Sequence, residues 1–338
     1  MDIAGHKVGS GQRPFVIAEI SGNHCGSIER AKRLIKAAKY AGADAVKTQC
    51  YEADTLTLNI NRPDFIIQEG LWRGRSLYEL YGKACTPMGW HEELYNYAKA
   101  EKITIFSSVF DRSGVDLLEH LGCPCYKIAS FEMVDTPLIS YAAKTGKPLI
   151  ISTGLACNNE IIEANIASGQ KAAFLHCTSE YPGTIEHANL GRAKEIDLLL
   201  GFNNIIGISD HTLGYAIPIA ATALGINIIE KHLKLTYGPE SEDDPFSLTP
   251  EVFKTMTIAV KQIYEALQVR QTNGSSRQLR RSLYVVEDIE AGAEFTLYNV
   301  RSIRPGYGLP PKFLNQLIGQ KAKKSFRRGD RLCKDDIP

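Results

Sequence analysis

Residues 205–232 read IIGISDHTLGYAIPIAATALGINIIEKH. Two short β-favouring runs, 205–210 and 227–232, each end in polar side chains. Between them lies a segment, 215–224, with helical apolar spacing. This is a strand–helix–strand unit, and its exit residues Ser209, Asp210, His211, Glu230, Lys231 and His232 are all chemically capable.

The same unit recurs upstream. Strand-like runs fall at 15–21, 45–49, 103–108, 125–130, 148–153 and 172–178, which with 205–210 and 227–232 makes eight. Helical patterns separate them. In residues 28–41, Ile28, Ala31, Leu34, Ile35 and Ala38 lie near i, i+3, i+4, i+7 spacing. Gly42 and Gly146 stand where helix ends are expected. Eight alternations predict a (β/α)8 TIM barrel over residues 1–269. A doubly wound open sheet is the rival, and it does not call for eight evenly spaced strands.

Two segments break the plain repeat. Residues 52–87 are too long for a turn and carry Phe65, Trp72, Tyr78 and Tyr81, so they read as a lid or binding element. Residues 236–247 form an acidic loop. Residues 270–281 read as a linker, and 282–338 as a small β-rich module with similar charged, Gly-containing turns at 288–292 and 327–331.

Of 338 residues, 44% are hydrophobic, and the formal net charge is +1. That balance gives a large core but no field to recruit nucleic acid or an acidic membrane, so an anionic substrate needs local cations. Residues 1–10 contain Asp2, His6 and Lys7 and do not resemble a signal peptide, and no apolar run reaches the roughly 18 residues of a membrane span. The expected location is the cytoplasm. The eight cysteines form no C-x-x-C pair and read as buried free thiols, Cys123 and Cys125 included.

In a barrel, the strand C-termini and the loops after them form the active face. Reading those positions collects Glu19, Lys47, Gln49, Ser108, Lys127, Ser130, Glu132, Ser152, Ser179, Tyr181, Ser209, His211, Glu230 and His232. Lys47 and Lys127 lie inside apolar runs, where an unpaired ammonium is costly. Either they pair with Glu19 or Glu230, or they and the hydroxyls surround a phosphate. His211 and His232 end neighbouring strands. They are either structural imidazoles or a pair sharing a divalent metal, with Asp210 and Glu230 as further candidate ligands or orienting groups.

The segments AEISGNHCGS, AVKTQCY, YKIASFE, IISTG, LHCTSEYP, GISDHT, IEKH and RSIRPGYG occur in that order and resemble the sialic acid synthase family. The resemblance spans essentially the whole chain. It implies a (β/α)8 barrel followed by an antifreeze-protein-like (SAF) domain. It also implies condensation of phosphoenolpyruvate with an amino-sugar aldehyde, dependent on Mn²⁺ or Mg²⁺. Within the family, DTLTL at 54–58, DFIIQEGLW at 64–72, IASFE at 128–132 and ESEDDPFSL at 240–248 resemble the branch that builds pseudaminic acid. The sugar expected for that branch is 2,4-diacetamido-2,4,6-trideoxy-L-altrose.

Residue by residue, the resemblance places Lys47, Ser108, Lys127, Ser130, Ser152, Ser179 and Ser209 around phosphoenolpyruvate. His211 and His232 are implied metal ligands, and Glu19 the carboxylate near the reacting carbons. Gln49, Trp72, Glu132, Tyr181 and Asp243 fall on the sugar side. Arg304 is the implied contribution of the C-terminal domain to the other subunit of a domain-swapped homodimer. The nearest rivals make legionaminic or N-acetylneuraminic acid. A more distant rival is a Schiff-base aldolase using Lys47 or Lys127.

Overall fold

The structure is a computed structural model that describes residues 1–238, 240–268 and 277–337. Most of the linker expected at 270–281 lies outside the described residues; Arg277–Leu279 form a short 3-10 turn. The chain divides into two compact units, Met1–Gln268 and a second reaching the C-terminus.

In the first unit, a small hairpin of β1 (Asp2–Ile3) and β2 (His6–Lys7) precedes the barrel. The barrel strands are β3 (Phe15–Glu19), β4 (Ala45–Cys50), β5 (Thr104–Val109), β6 (Tyr126–Ile128), β7 (Leu149–Ser152), β8 (Ala173–Cys177), β9 (Ile206–Asp210) and β10 (Ile228–His232). They are parallel, and β10 pairs with both β9 and β3 to close the ring. Helices between the strands cover the outside, beginning with Ile28–Tyr40, whose N-cap Ser27 accepts from the Arg30 amide. Pro250–Leu267 closes the unit, with Phe253, Met256 and Val260 buried. No helix among the described residues is long and apolar enough to cross a membrane.

Register sorts the strand residues into inner and outer sets, because side chains alternate along each strand. Glu19 pairs with Lys47, Gln49 with Ser108, Ser108 with Lys127, Cys177 with Ser209, Ser209 with Glu230, and His232 with Glu19. These lie on the inner face near the strand exits. One layer below, Ile17, Phe106, Ile150, Leu175 and Ile228 fill the barrel. Gly207 makes room there: a Cβ on it would stand 2.7 Å from the Ile228 carbonyl and overlap Leu175. The floor is thus apolar and dry, and the rim above it polar.

The opposite alternation places Asp210 and Lys231 between barrel and helices. There Asp210 Oδ2 lies 2.7 Å from Lys231 Nζ, and Lys231 also donates to the Thr212 carbonyl. Asp210 is therefore not a candidate metal ligand, contrary to the sequence reading. The cysteines also need a correction. All eight are free, but only Cys50, Cys123, Cys125 and Cys177 are buried. Cys157 and Cys333 are exposed, each at the start of a short surface helix or turn rather than on a strand.

The second unit pairs β11 (Ser282–Val285) with β12 (Val300–Ile303) antiparallel. Its own small core includes Leu283, Phe295, Leu309, Phe326 and Leu332. The two similar turns lie side by side, with Ile289 bridging Phe326 and the Arg328 amide donating to Asp288.

Because the floor has no slack at Gly207, Gly207→Ala should destabilise the first unit by about 1–3 kcal/mol or more. Urea unfolding followed by circular dichroism would check this; an unchanged midpoint would mean that the floor yields.

Candidate active site

The centre of the rim is an ion triad. Lys47 Nζ lies 2.8 Å from Glu19 Oε2 and 2.7 Å from Glu230 Oε1. All three side chains are buried. Glu19 Oε1 also accepts from the Ser21 amide at 2.6 Å, and Glu230 Oε1 from Ser209 Oγ at 3.1 Å. Of the two readings of the barrel lysines, Lys47 takes the ion-pair one. Burial and the nearby Lys127 push its pKa down to about 8, against the pull of Glu230. Burial pushes the Glu230 carboxyl up, but Lys127 and Lys47 outweigh it and bring the carboxyl to about 2.

Lys127 differs. It is 1% exposed and donates to Ser152 Oγ at 2.6 Å and the Ile128 carbonyl at 3.1 Å. Among the described residues no carboxylate lies within ion-pair distance of it. Ser108 is its register neighbour on β5, and Ser108 Oγ and Ser179 Oγ are both buried without hydrogen-bond partners. Gly154 completes a cradle. A Cβ there would stand 2.9 Å from Ser130 Oγ and 3.2 Å from the Cys177 carbonyl, and would overlap Ser179 Oγ. A buried ammonium ringed by hydroxyls is the chemistry that accepts a phosphate or carboxylate.

Beside this pocket stand the two imidazoles, ring centroids 5.3 Å apart. His211 Nδ1 lies 3.1 Å from the Thr178 carbonyl and 3.8 Å from Cys177 Sγ. With Nδ1 protonated toward that carbonyl, Nε2 is left as a lone-pair donor. Burial lowers the His211 pKa, but Cys177 and Thr178 more than offset it. His232 Nδ1 is buried with no partner, and burial with His211 holds the ring well below the usual imidazole range, so it is neutral. Paired imidazoles whose Nε2 atoms make no hydrogen bond among the described residues fit a divalent cation. A cation there would have the two imidazoles as protein ligands and open positions for substrate.

On the far side is an aromatic wall. The Tyr181 ring packs tilted, with its centroid 4.4 Å from that of His211 and 5.7 Å from that of Trp72, which the long insert brings in. Phe246, from the acidic loop, packs edge-on at 5.2 Å from Tyr181. Trp72 Nε1 is buried without a partner. The insert is tied to the acidic loop by Arg75–Glu242 at 2.5 Å. Asp243 accepts from the Gly22 amide at 3.2 Å; burial raises its pKa. Glu132 follows β6, and its enclosed Oε2 is unpartnered; burial raises its carboxyl to about 7, partly offset by its backbone hydrogen bond and by Lys127. Gln49, half-buried, pairs in register with Ser108. Arg304 is an exposed residue of the second unit, just past β12.

Sequence reasoning missed two features. Gly154 stood in IISTG without a role, because only a close approach in space reveals why a side chain is excluded. Phe246 is the one large apolar residue of residues 236–247 apart from Tyr237, and that contrast was the available signal.

Two family models match the chain, the NeuB family over residues 34–272 and the SAF domain over residues 280–338. A pseudaminic acid synthase of Campylobacter jejuni subsp. jejuni serotype O:2 is 44% identical over 335 residues, covering 96% of this chain and 97% of that protein. One from Helicobacter pylori is 41% identical, covering 96% and 98%. The crystal structure of N-acetylneuraminic acid (sialic acid) synthetase from Leptospira borgpetersenii, in complex with citrate, superposes with a TM-score of 0.72 at 28% identity, over 82% of this chain and 94% of that one.

The pKa of Glu132 gives a pH prediction. Its folded-state value, about 7, lies above the ordinary 4.5 of an unfolded chain. The folded form therefore holds the proton while the unfolded form ionises, and stability falls as pH rises between those values. Glu132→Gln should melt higher than the parent at pH 8, with the gap closing toward pH 5. Parallel melting curves at both pH values would place Glu132 in contact with water.

Proposed function

The chain belongs to the NeuB family, and from that premise we propose that it condenses phosphoenolpyruvate with 2,4-diacetamido-2,4,6-trideoxy-L-altrose and water to give pseudaminic acid and phosphate. The observation that carries this reading is the juxtaposition of the Lys127 hydroxyl cradle with the paired imidazoles. Anion and aldehyde would there be held side by side.

Lys127 and the hydroxyls of Ser108, Ser130, Ser152 and Ser179 hold the charged end of phosphoenolpyruvate, with Ser209 and the remaining proton of Lys47 completing the pocket. Gln49, Trp72, Glu132, Tyr181 and Asp243 face the sugar. The Trp72 indole N–H is a donor for an acetamido carbonyl, and the aromatic wall suits a methyl group where a commoner sugar carries a hydroxyl. A divalent cation, Mn²⁺ or Mg²⁺, held by His211 and His232 would polarise the aldehyde carbonyl.

C3 of phosphoenolpyruvate attacks the aldehyde carbon, and C2 gains cationic character. The Glu19 carboxylate, paired with Lys47, stabilises that charge and takes the proton of the water that adds at C2. The C2–O bond to phosphate then breaks with its electron pair leaving on phosphate, the C2 hydroxyl gives up its proton as it becomes the ketone, and the alkoxide at the former aldehyde carbon takes up the proton that Glu19 removed from water. Much of the acceleration is the alignment of two reactants in one pocket. A Schiff-base route would have to use Lys127, because Lys47 is committed to two carboxylates; borohydride trapping with pyruvate would support that route, whereas phosphate release would not. The assembly that we propose is a cytoplasmic homodimer in which Arg304 of one copy completes the sugar side of the other.

Incubation with phosphoenolpyruvate and a panel of amino sugars should release phosphate with the 2,4-diacetamido sugar and give the mass of pseudaminic acid. EDTA should abolish turnover, and Mn²⁺ or Mg²⁺ should restore it. Preference for another amino sugar would overturn the substrate assignment, and full activity in EDTA the metal. Arg304→Ala should lower turnover roughly 10-fold or more with both units folded, as measured by steady-state kinetics and circular dichroism. Unchanged kinetics would remove Arg304 from the site.

A further inference from the structure

We infer that Phe246 is a positioning residue for the two imidazoles; the inference rests on the metal reading above. A metal-ligating histidine is ordinarily oriented by a hydrogen bond from its second ring nitrogen. His211 has one, to the Thr178 carbonyl. His232 lacks the equivalent, since its Nδ1 is buried with no partner. Packing must set its ring plane instead, and Phe246 supplies that packing. The Phe246 ring lies edge-on to His232 at 4.9 Å and 79°, and to His211 at 5.9 Å and 88°. One buried ring thus touches both imidazoles and fixes the gap between them.

Phe246 can do this because its own position is tied to the strand that carries His232. Leu233 bridges Leu248, with the Leu248 amide donating to the His232 carbonyl at 2.9 Å and the Lys234 amide to the Leu248 carbonyl at 2.9 Å. Lys234 Nζ grips Asp244 through its carboxylate at 2.7 Å and its carbonyl at 3.0 Å. Asn23 Nδ2 holds Ser247 Oγ at 2.8 Å. The turn Asp244–Phe246 therefore sits in a frame built on the exit of β10. Loss of the ring frees His232 to rotate without breaking that frame.

The test is Mn²⁺ binding to the full chain without substrates. Free Mn²⁺ is read by electron paramagnetic resonance at a temperature well below every melting point. Phe246→Ala should weaken binding roughly 10–100-fold, the usual cost of losing an orienting partner. Phe246→Leu keeps most of the apolar volume and the fold, and should weaken binding by a smaller factor. Phe253→Leu, a buried ring in the closing helix, should lower the melting temperature and leave Mn²⁺ affinity unchanged. The proposal is overturned if both Phe246 variants bind like the parent while only their melting temperatures fall. His211→Ala and His232→Ala separate the two levels. If they lose Mn²⁺ and the Phe246 variants do not, only the positioning role fails. If they retain it, the metal reading fails and takes this inference with it.

Discussion

A buried ammonium between two buried carboxylates organises the mouth of this barrel. Lys47 bridges Glu19 and Glu230, and together with Lys127 it holds the Glu230 carboxyl down against the effect of burial. Breaking such a triad by removing one member leaves an uncompensated charge, typically a cost of about 3–5 kcal/mol. The triad also divides labour between the two barrel lysines. With Lys47 satisfied, Lys127 is left among hydroxyls, and an arriving anion meets a cation that does not have to be pulled from a partner.

This division depends on the layer below. Ile17, Phe106, Ile150, Leu175 and Ile228 make a floor that water does not reach, and low polarity beneath the rim strengthens each charge interaction above it. Strand alternation does the sorting. Residues two apart on one strand share a face, so Leu175 and Cys177, or Ile228 and Glu230, stack floor to rim. The same rule sends Asp210 and Lys231 outward, where their ion pair ties β9 to β10 and to the loop after β9.

Much of this was legible in the sequence. The eight apolar runs with polar exits gave the barrel, and the exits gave nearly every rim residue. Alternation was the information not used: applied to 205–210, it would have turned Asp210 away from His211. The partner of Lys47 stayed open because two carboxylates were available, and the structure uses both. The roles of Gly154 and Phe246 were missed for a different reason. Their roles come from what other segments bring beside them, namely Ser130 and Ser179 for the glycine, and both imidazoles for the phenylalanine.

The central claim is that Lys127, not Lys47, is the cation held open for the enol phosphate. Calorimetric titration of phosphoenolpyruvate into Lys127→Met, in chelator and with the barrel shown folded by circular dichroism, addresses it most directly. The account predicts that binding weakens by at least about 100-fold, the size expected when a buried charge-assisted contact is removed. Binding indistinguishable from that of the unsubstituted chain would contradict it.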